Sequence, residues 1–318
     1  MTGSVVPTVP VFPFMRLRFT RLDALLLGMT LIWGSNFTII KAALREIPEL
    51  GFNALRMVLG SIVFAAVIQH RHGIRALIAR LDARDWAALA GLGVGGHFVY
   101  QWLFMSGVAR TSVANSSLIF GCTPVAVALL SSWLGHERIT PVRWAGVALS
   151  LAGMYLVVGQ ADQRGASVKG DLCIVGAMLC WAAYTVGSRP LLERHSPLVV
   201  TGFSMMIGSA LYAPLGVPAL LGLEWTAVRA WAWLLLVYSA VFALVVAYLI
   251  WYTAVQRVGN TRTSIYSNVV PLVAMAVAAI VLGEPMTARK FAGAAGVLAG
   301  VVLTRLELRL AADTPSEA

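Results

Sequence analysis

Ten apolar runs of about 20 residues follow one another along the chain, the length an α-helix needs to cross a bilayer. They lie at 22–43, 49–69, 85–108, 112–134, 142–160, 170–190, 197–221, 230–252, 263–283 and 287–305. Inside hydrocarbon only helices and closed barrels satisfy every backbone N–H and C=O, so runs of this length read as helices. The intervening loops are short, the longest being the basic 70–84 and the polar 161–169, which leaves no room for a soluble catalytic domain. Only 12% of residues are charged and mean hydropathy is +0.80, against about 25% charged in soluble proteins. The expectation is an all-α integral membrane protein with ten transmembrane helices, whose surrounding partner is the lipid bilayer.

The runs divide as five plus five, because the chain is written twice. Trp33 in Leu-Ile-Trp-Gly-Ser-Asn returns 148 residues later as Trp181 in Leu-Cys-Trp-Ala-Ala-Tyr. The same step carries Asp23 to Asp171, Gly28 to Gly176 and Lys41 to Arg189. Further on the step is 147, carrying Pro124 to Pro271, Glu137 to Glu284, Gly146 to Gly293 and Gly153 to Gly300. Five is odd, so the second half enters the membrane from the opposite side and the two repeats are predicted to be inverted. Transporters built this way bind substrate near the midplane, between the repeats. The expected organisation is a tail (1–21), a five-helix repeat (22–160), a linker (161–169), a second repeat (170–308) and a C-terminal tail (309–318), the last expected to be disordered.

Charge predicts the orientation. With the N-terminus cytoplasmic, 15 of the 24 Lys and Arg fall on the inner side and 8 on the outer, with Arg56 inside the second span. The positive-inside rule then puts both termini in the cytoplasm. The net +10 follows from this bias and calls for no nucleic-acid partner. Cys122, Cys173 and Cys180 all fall within spans, so no extracellular disulfide framework is expected, and no metal or cofactor motif is present. Arg outnumbers Lys 21 to 3, which fits a GC-rich bacterial genome and hence the inner membrane. The first residues lack the layout of a cleaved signal peptide, and Met15, opening Met-Arg-Leu-Arg-Phe-Thr-Arg, is a second candidate start.

Several residues could carry chemistry. Pro124 and Pro271 lie mid-span at matched positions, where proline removes a donor and kinks a helix; broken helices in both halves point to a substrate site or hinge. His97 is ionisable near the middle of the third span, so substrate contact or proton coupling is expected, against a neutral interhelical hydrogen bond. Arg56 could hold a substrate carboxylate, but its place near the outer interface favours a structural, snorkelling role. Lys41 and Arg189 suit helix C-termini, and Glu137 and Glu284 read as helix-end caps or interhelical partners. No Asp or Glu is expected deep in a span, leaving His97 as the coupling candidate and exchange or facilitated diffusion beside proton antiport. The predicted substrate-binding set is Trp33, Asn36, His97, Tyr100, Gln101, Ser116, Thr123, Tyr184, Tyr248, Trp251, Tyr266 and Asn268, with Asn115, Tyr252 and Ser267 nearby; half of the wall is expected to belong to interfacial aromatic belts instead. Gly296 and Gly300 suit close helix packing, inside a monomer or across a homodimer.

Together these landmarks resemble the drug/metabolite transporter superfamily, specifically its ten-helix group with two EamA domains. The resemblance rests on Trp33-Gly34-Ser35-Asn36-Phe37 through Lys41, and on Pro48 followed by Arg56. It continues with the Pro124 helix ending in Leu134-Gly135-His136-Glu137-Arg138 and the Pro271 helix ending in Leu282-Gly283-Glu284-Pro285, and covers about residues 22–308. It implies inverted five-helix halves around a central cavity, and export or exchange of amino acids and other small metabolites by alternating access. Ala182-Ala183-Tyr184 replaces Gly34-Ser35-Asn36 in the second half, so that motif's role does not carry over there. Neither His-Glu-x-x-His, Gly-x-Ser-x-Gly nor a P-loop occurs, which argues against an enzyme or an ATP-driven pump. A channel-like facilitator and a flippase for lipid-like substrates remain as alternatives.

Overall fold

The computed structural model describes residues 20–133, 140–157 and 167–312. Met15, Glu137 with the rest of its Leu-Gly-His-Glu-Arg motif, most of the 161–169 linker and the end of the C-terminal tail lie outside them. Among the described residues all regular structure is helical. In chain order the helices are α1 (Arg21–Ala43), α2 (Glu49–His72), α3 (Ile74–Ile78), α4 (Ala83–Gly93), α5 (Tyr100–Arg110), α6 (Val113–Gly121), α7 (Thr123–Trp133) and α8 (Pro141–Val157). The second half holds α9 (Val168–Gly187), α10 (Arg189–Leu192), α11 (Pro197–Leu221), α12 (Ala230–Tyr238), α13 (Ala247–Ser267), α14 (Val269–Leu282) and α15 (Ala288–Ala312). Among the described residues six stretches are long and apolar enough to cross a membrane: Arg21–Ala43, Glu49–His72, Val113–Leu130, Val168–Leu192, Pro197–Leu221 and Ala230–Arg257, with shorter apolar helices at Trp144–Leu156 and Val269–Leu282.

Local chemistry sets the ends. Thr20 and Asp23 form a reciprocal capping box at the start of α1, satisfying N–H groups that a first turn otherwise leaves open. Asp82, Ser112, Ser167 and Ser196 cap α4, α6, α9 and α11 in the same sense. The loop expected between 252 and 263 is not a loop. α13 runs through it unbroken, because the stretch contains no proline to interrupt backbone bonding.

Two irregularities fall at matched places. The third predicted span holds a π-helical segment, Val94–Val99, between α4 and α5, and the eighth holds another, Ser239–Val246, between α12 and α13. The fourth span breaks at Cys122, two residues before Pro124, and the ninth breaks at Asn268, three before Pro271.

Packing follows the same duplication. α2 packs on α11 and α8 on α15; α1 packs on α14 as α9 packs on α7; and α9 packs on α5 as α1 packs on α13. Exchanging the two halves turns each of these pairings into another that is present. The α8–α15 contact is backbone to backbone: a Cβ on Gly153 would lie 2.5 Å from the Val297 nitrogen and 2.8 Å from the Gly293 oxygen. Gly296 and Gly300 face this same seam, so the Gly-x-x-x-Gly pair is used within the chain.

Ion pairs and caps gather at the helix ends. At one end of the bundle Arg110 pairs through both terminal nitrogens with Glu49 at 2.8 and 2.9 Å, and Lys41 donates to the Thr111 carbonyl. Asp171 accepts from Thr111 and Asn115, and Glu284 accepts from the backbone N–H groups of Val113 (2.8 Å) and Ala114 (3.2 Å). At the far end of α1 Tyr266 donates to Asp23 at 2.7 Å, and Asp85 bonds Arg194 (2.7 Å) and His195 (2.9 Å). Arg189, the repeat partner of Lys41, is exposed and pairs with its neighbour Glu193 at 3.5 Å.

Candidate functional site

The side chains that the fold draws together at its centre are aromatic. Trp33 from α1 lies 5.9 Å from Trp181 of α9, 6.0 Å from Tyr248 and 5.5 Å from Trp251 of α13, between ring centroids. Trp181 also meets Tyr100, Tyr184, Tyr248 and Tyr252. These separations fit the edge-to-face and offset arrangements that ring quadrupoles favour. Trp33, its partner Trp181 and the two π-containing spans thus meet in one cluster, with Trp181, Tyr184, Tyr248, Trp251 and Tyr252 all buried.

The π-helical segments shape this cluster. A π turn is rare and recurs at functional sites, because it leaves backbone groups out of the regular α pattern. In the second half the Ala243 carbonyl, inside Ser239–Val246, accepts from the Trp33 indole at 3.1 Å. In the first half the π segment carries His97, fully buried, its ring 5.0 Å from Tyr184 and stacked 5.9 Å from Tyr248. His97 Nε2 lies 3.4 Å from the Tyr184 hydroxyl, which lies 3.1 Å from Ser204 Oγ, and Ser204 is within hydrogen-bond reach of the Val200 carbonyl at 2.7 Å. His97 Nδ1 is buried without a hydrogen bond.

Arg56 lies deeper than its sequence position implies. It is 1% exposed and does not snorkel. Its Nε donates to Asn53 (3.1 Å), one terminal nitrogen to Ser239 (3.0 Å), and the other to Gln101. It joins α2, α5 and the second π segment. All three acceptors are neutral.

The predicted wall is only partly assembled there. Trp33, His97, Tyr100, Tyr184, Tyr248 and Trp251 belong to the cluster, with Tyr252, and Gln101 reaches it through Arg56. Ser116 and Thr123 instead bond backbone carbonyls three or four residues earlier, Ser116 that of the α6 cap Ser112 and Thr123 that of Phe120 across the α6–α7 break. Tyr266 holds Asp23. Asn36 and Asn268 each bury a carbonyl oxygen without a hydrogen bond, Asn268 standing at the α13–α14 break. Trp181 is missing from the predicted wall although it touches five of the other rings; its 148-residue step from Trp33 is the signal that identifies it.

The sequence model of the EamA-like transporter family matches residues 20–159 and again 168–306, two copies that take up most of the chain. The chain belongs to this family. This EamA-like transporter is a multi-pass membrane protein. It is similar to the "Uncharacterized transporter YyaM" of Bacillus subtilis, 27% identical over 90% of this chain and 94% of that one. A "Probable terminal-alkyne amino-acid exporter" of Streptantibioticus cattleyicolor is 29% identical over 89% of this chain and 94% of its own. A "Probable amino-acid metabolite efflux pump" of Salmonella typhimurium is 26% identical over 90% and 95%. A solved crystal structure, 21% identical, superimposes with a TM-score of 0.65 over 93% of this chain and all of the other, an agreement of fold.

Proposed function

We propose that this transporter exports amino acids or closely related amphipathic metabolites across the bacterial inner membrane. It works by alternating access between two inverted five-helix halves, 22–160 and 170–308, with both termini cytoplasmic. The observation that carries this reading is the centre of the fold, where matched π segments and the repeat-paired Trp33 and Trp181 meet. The aromatic wall there includes Tyr248, on which the His97 ring stacks, with its Nδ1 buried and unbonded, and Gln101, one residue after Tyr100 of the wall, accepts from the buried guanidinium of Arg56. Such a set suits a small solute with one charged end and an apolar side group. The pairing of helices that survives exchange of the halves supports the inverted repeat, the 15-to-8 bias of basic residues supports the orientation, and the names of two relatives support amino acids. The helix-end clasps joining Lys41, Glu49, Arg110, Asp171 and Glu284 suit a gate closed on the outer side. His97 is the proton-coupling candidate. Pro124 and Pro271, just beyond the two helix breaks, serve as hinges.

The test is counterflow in proteoliposomes. Unlabelled amino acids, amines or nucleosides are loaded inside and a labelled member is followed inward. Saturable exchange within the amino-acid class is the expected result. Exchange confined to amines or nucleosides, or single-channel conductance without saturation, overturns the reading. In His97→Ala, exchange that persists but no longer responds to a pH gradient identifies the coupling site.

A further inference from the structure

Arg56 is a buried cation whose described partners are all neutral. Guanidinium carries five N–H donors, of which the Nε–H and one on each terminal nitrogen go to Asn53, Ser239 and Gln101. Around it stand the phenols of Tyr100, Tyr248 and Tyr212, which carry no charge at neutral pH. The carboxylates of the described residues sit at helix ends or in loops, as Asp23, Glu49, Asp171 and Glu284 do. A charge held in a membrane protein without a counter-ion is costly, and such charges mark substrate pathways.

We infer that Arg56 is the carboxylate receptor of the transport site, and that the carboxylate, rather than the amino group, is what the site requires of its substrate. The inference rests on the proposed transport reading and narrows it to monocarboxylates with an apolar or aromatic side group. Arg–carboxylate pairs are strong and geometrically selective because the planar fork meets both oxygens. The amino group has a weaker reward, one hydrogen bond to His97 Nδ1. An amine lacking the carboxylate brings a second positive charge towards an uncompensated guanidinium. The aromatic wall cannot discriminate these solutes by charge alone, since its rings accept apolar and cationic groups alike.

The experiment uses four related solutes on purified full-length protein: phenylalanine, 3-phenylpropionate, 2-phenylethylamine and phenylalaninamide. Binding is read by quenching of tryptophan fluorescence in detergent, and competition is read by counterflow. The expected order is phenylalanine, then 3-phenylpropionate within about ten-fold, the loss of one hydrogen bond from the ammonium. The amine and the amide follow, weaker than phenylalanine by a further factor of about ten. Arg56→Gln should erase the preference of acid over amine, and Arg56→Lys should keep it in reduced form, since the charge remains without the fork. A structural role for Arg56 would lower stability in both variants without changing the ratio of acid to amine. The ligand series on the unaltered protein decides the matter even where a variant does not fold. Amine binding as well as acid, with exchange intact, overturns this inference alone. Acid-selective binding without exchange overturns the transport reading alone, and binding of none of the four overturns both.

Discussion

Gly208 on α11 lies against the π segment that carries His97. A Cβ there would stand 2.8 Å from the Gly93 carbonyl oxygen and 3.1 Å from the Phe98 nitrogen, and closer still to the His97 Cβ. Two of those three neighbours are backbone and the third, a Cβ, moves with it, so the helices must separate by about 1 Å to reach ordinary contact. Overpacking of this kind costs about 1–3 kcal/mol, offset by up to about 1 kcal/mol of helix propensity when glycine becomes alanine. The net for Gly208→Ala is a loss of about 1–2 kcal/mol. At about 2–4 °C per kcal/mol for a large domain, the midpoint of thermal unfolding should fall by about 2–8 °C. Gly95 is the control: it lies inside the same π segment, yet a Cβ there meets nothing within 4 Å. Gly95→Ala should hold or raise the midpoint. The methyl at 208 presses on the backbone of His97, so half-saturation in counterflow should also rise while Gly95→Ala leaves it in place. Thermal unfolding in detergent and counterflow on the same preparations measure both. If the two variants match in midpoint and half-saturation, the contact between α11 and the π segment does not hold the site, and the reasoning is wrong.

Trp181→Leu removes ring contacts to Trp33, Tyr100, Tyr184, Tyr248 and Tyr252, and should weaken substrate competition as strongly as Trp33→Leu, by about ten-fold or more at about 0.5–1.5 kcal/mol per aromatic pair; Trp102→Leu, on the exposed surface, should leave competition unchanged. Glu284→Gln retains one acceptor for the first turn of α6 but loses the charge and the second bond, about 1–2 kcal/mol of capping, so its unfolding midpoint should fall by several degrees while that of the exposed Glu224→Gln stays put. Equal midpoints would show that the Glu284 cap contributes nothing measurable.

Much of this arrangement is legible in the sequence, and the exceptions have physical causes. The 148-residue step finds Trp33 and Trp181, and equivalent prolines mark the two helix breaks. Side-chain polarity does not reveal that Ser116 and Thr123 bond carbonyls three or four residues earlier, as hydroxyls in helices commonly do. Position within its own span likewise does not reveal that Arg56 is buried. Its burial comes from Gln101 and Ser239, 45 and 183 residues away, contacts that no local pattern encodes. The π segments leave no trace in hydropathy, since an i→i+5 turn has the same apolar composition as the α turns around it.

A π turn lodges a surplus residue in a helix, and each residue of an α-helix turns the chain by about 100°. Because that surplus is taken up inside the turn, deleting one residue within Val94–Val99 would let the backbone return to α pairing while the turns from Tyr100 onward kept their phase, with Gln101 still on Arg56 and Tyr100 still against Trp181. What the deletion would remove is the irregular turn that carries His97. The same loss from the regular turns of α4 would instead swing Tyr100 and Gln101 by about 100° and break both contacts. The frame of the site and the irregular turn within it are therefore separable by a single codon.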